Sequence, residues 1–171
     1  GKRRVAVKLL PETRSRLTFL VRVVDKEVRH LDYADHQVFP SPLTLEAIQA
    51  LEDNPELALK LEAFTSRFCR LQDTLGDKLL PALLKALGEP AAAFLINLDK
   101  AEKYGWLASA DEWINLRQLR NKMIHEYIED AEVLRSSLNM AHDNLAVLNR
   151  FADQLKHQVD ELTKDPDSAA E

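Results

Sequence analysis

At 171 residues, 46% of them apolar and 30% charged, the chain is long enough for one domain with a substantial core and too short for two comfortable ones. Four glycines and an alphabet rich in Ala, Leu, Glu, Lys, Arg and Gln argue against a turn-rich sheet and for an all-α domain. A lone cysteine, Cys69, excludes an internal disulfide, and the His and Cys spacing offers no zinc site, so neither a metal nor another cofactor is expected. No apolar run approaches the roughly 20 residues that span a bilayer, and no apolar leader opens the chain. A cytoplasmic, reduced environment without a membrane partner is therefore the expectation.

The net charge of −5 counts against a general nucleic-acid binder, but the charge is unevenly spread. Residues 1–30 carry nine Lys or Arg against three acids, whereas residues 31–171 carry 14 against 25. That basic segment is either a solvated amphipathic helix with its arm or a local surface for RNA or an acidic partner.

In chain order, residues 1–12 read as a basic arm. From about Thr13 to His36, Leu17, Leu20, Val24, Val28 and Leu31 recur at helical spacing. Two prolines, Pro40 and Pro42, then break the chain, and Thr44 caps a short helix ending near Asn54. Asn54-Pro55-Glu56 starts a long helix with Leu57, Leu61, Phe64, Phe68, Leu71 and Leu75 on one face. Gly76 and Pro81 predict a bend in it, with a clean break at Gly76 as the alternative. Glu89-Pro90 restarts the chain into a helix over residues 91–104, which Gly105 stops. Ser109-Ala110-Asp111-Glu112 is a capping box for the next helix. A final helix striped by Val133, Met140, Leu148, Phe151, Leu155 and Leu162 follows, and residues 164–171 read as a disordered acidic tail. Long amphipathic helices on short connectors over residues 13–163 predict one up-and-down antiparallel bundle.

The helix after the capping box carries the octet Arg120-Asn121-Lys122-Met123-Ile124-His125-Glu126-Tyr127. On a helical wheel Trp113, Leu116, Leu119 and Met123 form its apolar face, while Arg117, Asn121 and His125 form a polar stripe with Arg120 beside it. Metal-independent RNA cleavage needs charge to stabilise the phosphoryl oxygens and a group titrating near neutrality to move protons. Arg120 suits the first need and His125 the second, with Asn121 placed to orient either. Each residue also has an ordinary account: Arg120 paired with Glu126 or Glu129, His125 at the negative end of a helix dipole, Asn121 solvated. Cys69 reads as a packing residue, Arg67 and Arg70 as cleft-bordering or solvated, and His30, His36, His142 and His157 as surface positions. The glycines form no phosphate-binding loop.

Arg-x4-His with Asn after the Arg and Tyr two past the His arises by chance in about one in several thousand chains of this composition. The pattern resembles the signature of the HEPN superfamily, and within it the HepT-type toxins and the related nucleotidyltransferase substrate-binding proteins. The likeness covers roughly residues 55–160, which leaves the basic helix as an addition at the N-terminus. It implies a homodimeric helical bundle that cleaves RNA without metal, with two copies of the motif meeting across the dimer. Arg120, Asn121 and His125 then match the catalytic positions, and Arg117 is an auxiliary phosphate contact. Tyr127 matches the tyrosine that a partner minimal nucleotidyltransferase, the antitoxin, modifies with AMP. The alternative within the resemblance is a non-catalytic subunit that binds the nucleotidyltransferase.

Overall fold

Pro11, which has no amide hydrogen to leave unpaired, occupies the first turn of α1 (Pro11–Val38). The computed structural model describes residues 9–125 and 129–164. The expectations for residues 1–8, for Tyr127 and for the tail beyond Lys164 lie outside them. After α1 come α2 (Leu45–Gln49), α3 (Pro55–Asp73), α4 (Leu80–Ala86), α5 (Phe94–Lys103), α6 (Ala110–His125), α7 (Ala131–Asp143) and α8 (Leu145–Thr163). No strand occurs among the described residues, so the domain is all-α as its composition predicts.

The predicted caps are in place. Thr44 Oγ1 accepts from the Ala47 amide, Asn54 Oδ1 from Leu57 and Ser109 Oγ from Glu112, each at 3.1 Å. A further first-turn amide, that of Ala110, donates to Glu102 Oε1 at the end of α5, at 3.0 Å, a longer-range acceptor that the local motif does not reveal.

The helices run antiparallel. Thr74 meets Glu27, Arg67 meets His30 and Phe64 meets Phe39, so α3 descends as α1 ascends. Arg117 meets Asp77 and Arg120 meets Asp73, which lays α6 antiparallel on α3. Lys156 meets Asp25 and Thr163 meets Arg14, doing the same for α8 and α1. Each helix turns its apolar stripe inward: Leu17, Leu20, Val24 and Leu31 from α1, Leu61, Phe64, Phe68 and Leu71 from α3, and Phe151 and Leu155 from α8 are fully or almost fully buried. Trp113 of α6 closes the centre edge-on against Phe151 at 4.9 Å. The basic helix is thus a wall of the core, inside the single bundle expected over residues 13–163.

The long helix expected through Gly76, rather than a clean break, is borne out, while the single final helix needs correction. The bend at Gly76 is a π-turn over residues 74–79 that joins α3 to α4 without a break. An extra residue in the turn rotates Gly76 against α6, where an added Cβ would meet Trp113 Nε1 at 3.1 Å and Phe94 Cε2 at 3.2 Å. The final helix is two helices. Asn144 leaves helical geometry at φ −106° and ψ 11°, and its side-chain amide donates to the Met140 carbonyl at 2.7 Å. The stripe loses phase there, so α7 buries Leu134, Leu138 and Ala141 while Met140 is half exposed.

Candidate functional site

The octet helix lies across α3 with its polar groups divided between sides. At about 100° per residue, positions five apart diverge by about 140° around a helix. Arg120 and His125 are five apart, so their side chains leave α6 in different directions. Arg120 faces α3, where it pairs with Asp73, and its side chain is 20% exposed. Its Nε is buried and has no partner among the described residues. Asn121 and His125 are exposed, with His125 the last residue of α6. Arg120, beside the Asn121–His125 stripe on the helical wheel, is held the other way by the attraction of an acid on the neighbouring helix. Glu126 lies outside the described residues, and Glu129, though described, is not the partner.

Arg117 repeats the arrangement one turn earlier. It pairs with Asp77 at 3.0 Å, and its guanidinium lies 4.3 Å from the centre of the Phe94 ring. Two arginines on α6 thus meet two aspartates one turn apart on the α3 side. The sequence holds a trace of this: Asp73 and Asp77 stand at i and i+4, Arg117 and Arg120 at i and i+3, and antiparallel helices match such pairs. Nothing local announces it, because 40 and 47 residues separate the partners.

Beside the Asp73–Arg120 pair, α3 and the end of α6 enclose a groove of about 620 Å³. Thr65, Cys69, Met123 and Ile124 give it apolar walls, while Glu62, Arg70 and Asp73 supply charge. Arg70 therefore borders the cleft, one of the two roles the sequence left open for it. Arg67 instead donates to the His30 carbonyl at 2.8 Å. Cys69 is buried in the groove wall, and burial pushes its thiol pKa up, with Arg120 opposing and Asp73 adding to the rise. A thiol held protonated is a packing group, not a nucleophile.

On the other side of α6 a second groove, of about 480 Å³, runs along α7. Asn115, Gln118 and Lys122 line it from α6, and Ser136, Ser137 and Met140 from α7. The octet therefore straddles a ridge. Met123 and Ile124 go to the α3 groove, Lys122 goes to the α7 groove, and Asn121 and His125 stand exposed between them.

His142 is not a plain surface residue. Its Nδ1 lies 2.5 Å from Asp35 Oδ1, and its ring stacks on Phe39 at 4.4 Å and 16°. Asn139, one turn earlier, bonds both the amide and the carbonyl of Leu43. Together they fasten α7 to the end of α1 and the connector beyond it. Among the described residues no three His, Cys, Asp or Glu side chains are placed to hold a metal ion, and no helix is long and apolar enough to cross a membrane. The chain matches no family model, no curated protein and no solved structure at a significant level, so its function has to be read from the ridge of α6 and the grooves on either side.

Proposed function

We propose that the chain is a HEPN-type metal-independent endoribonuclease of the HepT kind, a toxin restrained by a cognate minimal nucleotidyltransferase. The observation that carries the reading is the exposed polar ridge of α6, where His125 and Asn121 face outward with Arg120 one helical face away. In the reaction, the ribose 2′-oxygen attacks phosphorus as a base takes its proton. The 5′-oxygen leaves with a proton from an acid, giving a 2′,3′-cyclic phosphate and a 5′-hydroxyl. One protomer offers a single imidazole there. Two copies meeting along α6 would supply two, one as base and one as acid, and would bring Arg120 of one copy toward His125 of the other. Incoming phosphate then competes with Asp73 for the Arg120 guanidinium, since both present paired oxygens to its fork of donors. Tyr127, two residues past His125, is the proposed AMP acceptor; added phosphate there would repel RNA.

The test is total RNA incubated in EDTA with the purified chain beside His125→Ala and Arg120→Ala. Fragments ending in cyclic phosphate with wild type alone support the reading. Intact RNA in every lane, or cleavage that His125→Ala leaves unchanged, overturns it.

A second reading, the non-catalytic nucleotidyltransferase-binding subunit, draws on one specific observation. Both arginines of the site are neutralised by aspartates within the protomer, as suits a structural ridge that presents a surface. It predicts a stable complex with a small nucleotidyltransferase and no RNA cleavage by the free chain.

A further inference from the structure

The inner side of α1 is committed to the core, and its outer side has a regular composition of its own. Arg16, Phe19, Arg22, Lys26, Arg29 and Tyr33 recur at steps of three and four residues, and all are exposed. The two rings are 46% and 64% exposed respectively, unusual for large aromatics without a partner. Arg16 and Arg22 flank Phe19, each guanidinium carbon 6.0 Å from its ring centre. None of the four cations forms an ion pair with an acid among the described residues, although the protein is acidic overall. Three acids of the same helix are engaged elsewhere: Asp25 with Lys156, Glu27 with Thr74 and Asp32 with His36.

We infer that this face of α1 is a platform for single-stranded RNA, with phosphates on the cations and bases stacked on Phe19 and Tyr33. Exposed flat rings set among cations that form no ion pair among the described residues fit a strand that alternates charge with planar bases. An anionic membrane fits less well, because the contiguous apolar stripe needed for insertion is already inside the bundle. An acidic protein would explain the cations but not a ring flanked by two guanidiniums. The strip also leads toward the α6 ridge. Arg67 reaches from α3 to the His30 carbonyl beside it, and Arg70, three residues further along α3, lines the groove that ends at Ile124. The inference rests on the ribonuclease reading only for the strand being RNA, and binding is measured separately from cleavage.

The experiment is fluorescence anisotropy of a short mixed-sequence single-stranded RNA with the full chain in EDTA, followed by a gel of the same samples. Wild type and His125→Ala should bind alike. Combined Arg22→Glu and Lys26→Glu should weaken binding at least about tenfold and flatten the dependence of affinity on salt. Phe19→Ala should lose about tenfold for RNA while heparin, a polyanion without bases, binds as before. No RNA binding by wild type at low salt, or full affinity in the charge-reversed variant, overturns the platform. So does Phe19→Ala binding RNA as wild type does, or losing heparin equally; the former result leaves a simple polyanion surface. Binding without cleavage would sink the reading of α6 alone, and cleavage indifferent to α1 would sink this one alone.

Discussion

Two seams meet on α3, and they are built differently. Toward α1 the contact is mainly apolar: Phe64 packs edge-on to Phe39 at 5.1 Å and stacks near Phe68, with a buried polar contact where Thr74 donates to Glu27. Toward α6 the contact is charged and irregular. Arg117 and Arg120 pair with Asp77 and Asp73, Gly76 makes room for Trp113, and Arg120 Nε lacks a partner among the described residues. Close-packed apolar contact fixes two helices against each other, whereas ion pairs at a rim can exchange partners at small cost in stability. The first seam holds the fold, and the candidate chemistry lies along the second.

Phe64→Ala on the α1 side should destabilise the domain by about 3–5 kcal/mol, read as a lower denaturation midpoint at unchanged slope. On the α6 side Asp73→Ala should cost only about 1–2 kcal/mol, since the carboxylate is 40% exposed and the stranded guanidinium can turn to water. If Asp73→Ala costs as much as Phe64→Ala, the two seams are not different in kind. Gln72 on α3 is buried, and neither polar atom of its side-chain amide has a partner among the described residues. Gln72→Leu should therefore stabilise the domain by about 1 kcal/mol in thermal melts. A loss of activity accompanying that gain would place Gln72 in the machinery of the site.

The smallest effect is a pH dependence. Burial raises the carboxyl pKa of Glu27, against the opposing hydrogen bond from Thr74 and the nearby charges of Arg70 and Lys78. A carboxyl with a raised folded pKa binds its proton more readily in the native state. Its stabilising contribution is present below the unfolded carboxylate value and is lost as pH rises through the folded one. Glu27→Gln should thus gain stability relative to wild type, by less than about 1 kcal/mol, as pH rises from mildly acid to neutral. Parallel stability curves for the two proteins across that range would count against a buried, raised Glu27.

The local grammar of the chain was readable wherever the responsible contacts are local. Thr44, Asn54 and Ser109 cap helices because each side-chain oxygen reaches an amide three residues ahead. Trp113, Leu116, Leu119 and Met123 are buried because their spacing puts them on one face. The break at Asn144 was hidden because apolar residues on both sides mimic one stripe, and only the change of phase shows two. Arg120 was legible as a cation but not as a paired one.

Sequence by itself determined that the protein is all-helical, which faces turn inward and where most helices begin, since these follow from contacts within about four residues. Tertiary structure alone decided that Arg120 turns to Asp73 while His125 stays exposed. It also decided that His142 locks onto Asp35, and that the basic helix shows Phe19 and Tyr33 on its outer side. Those outcomes depend on which helix lies alongside which. That is settled by packing the whole apolar surface at once, not by any one stretch of chain.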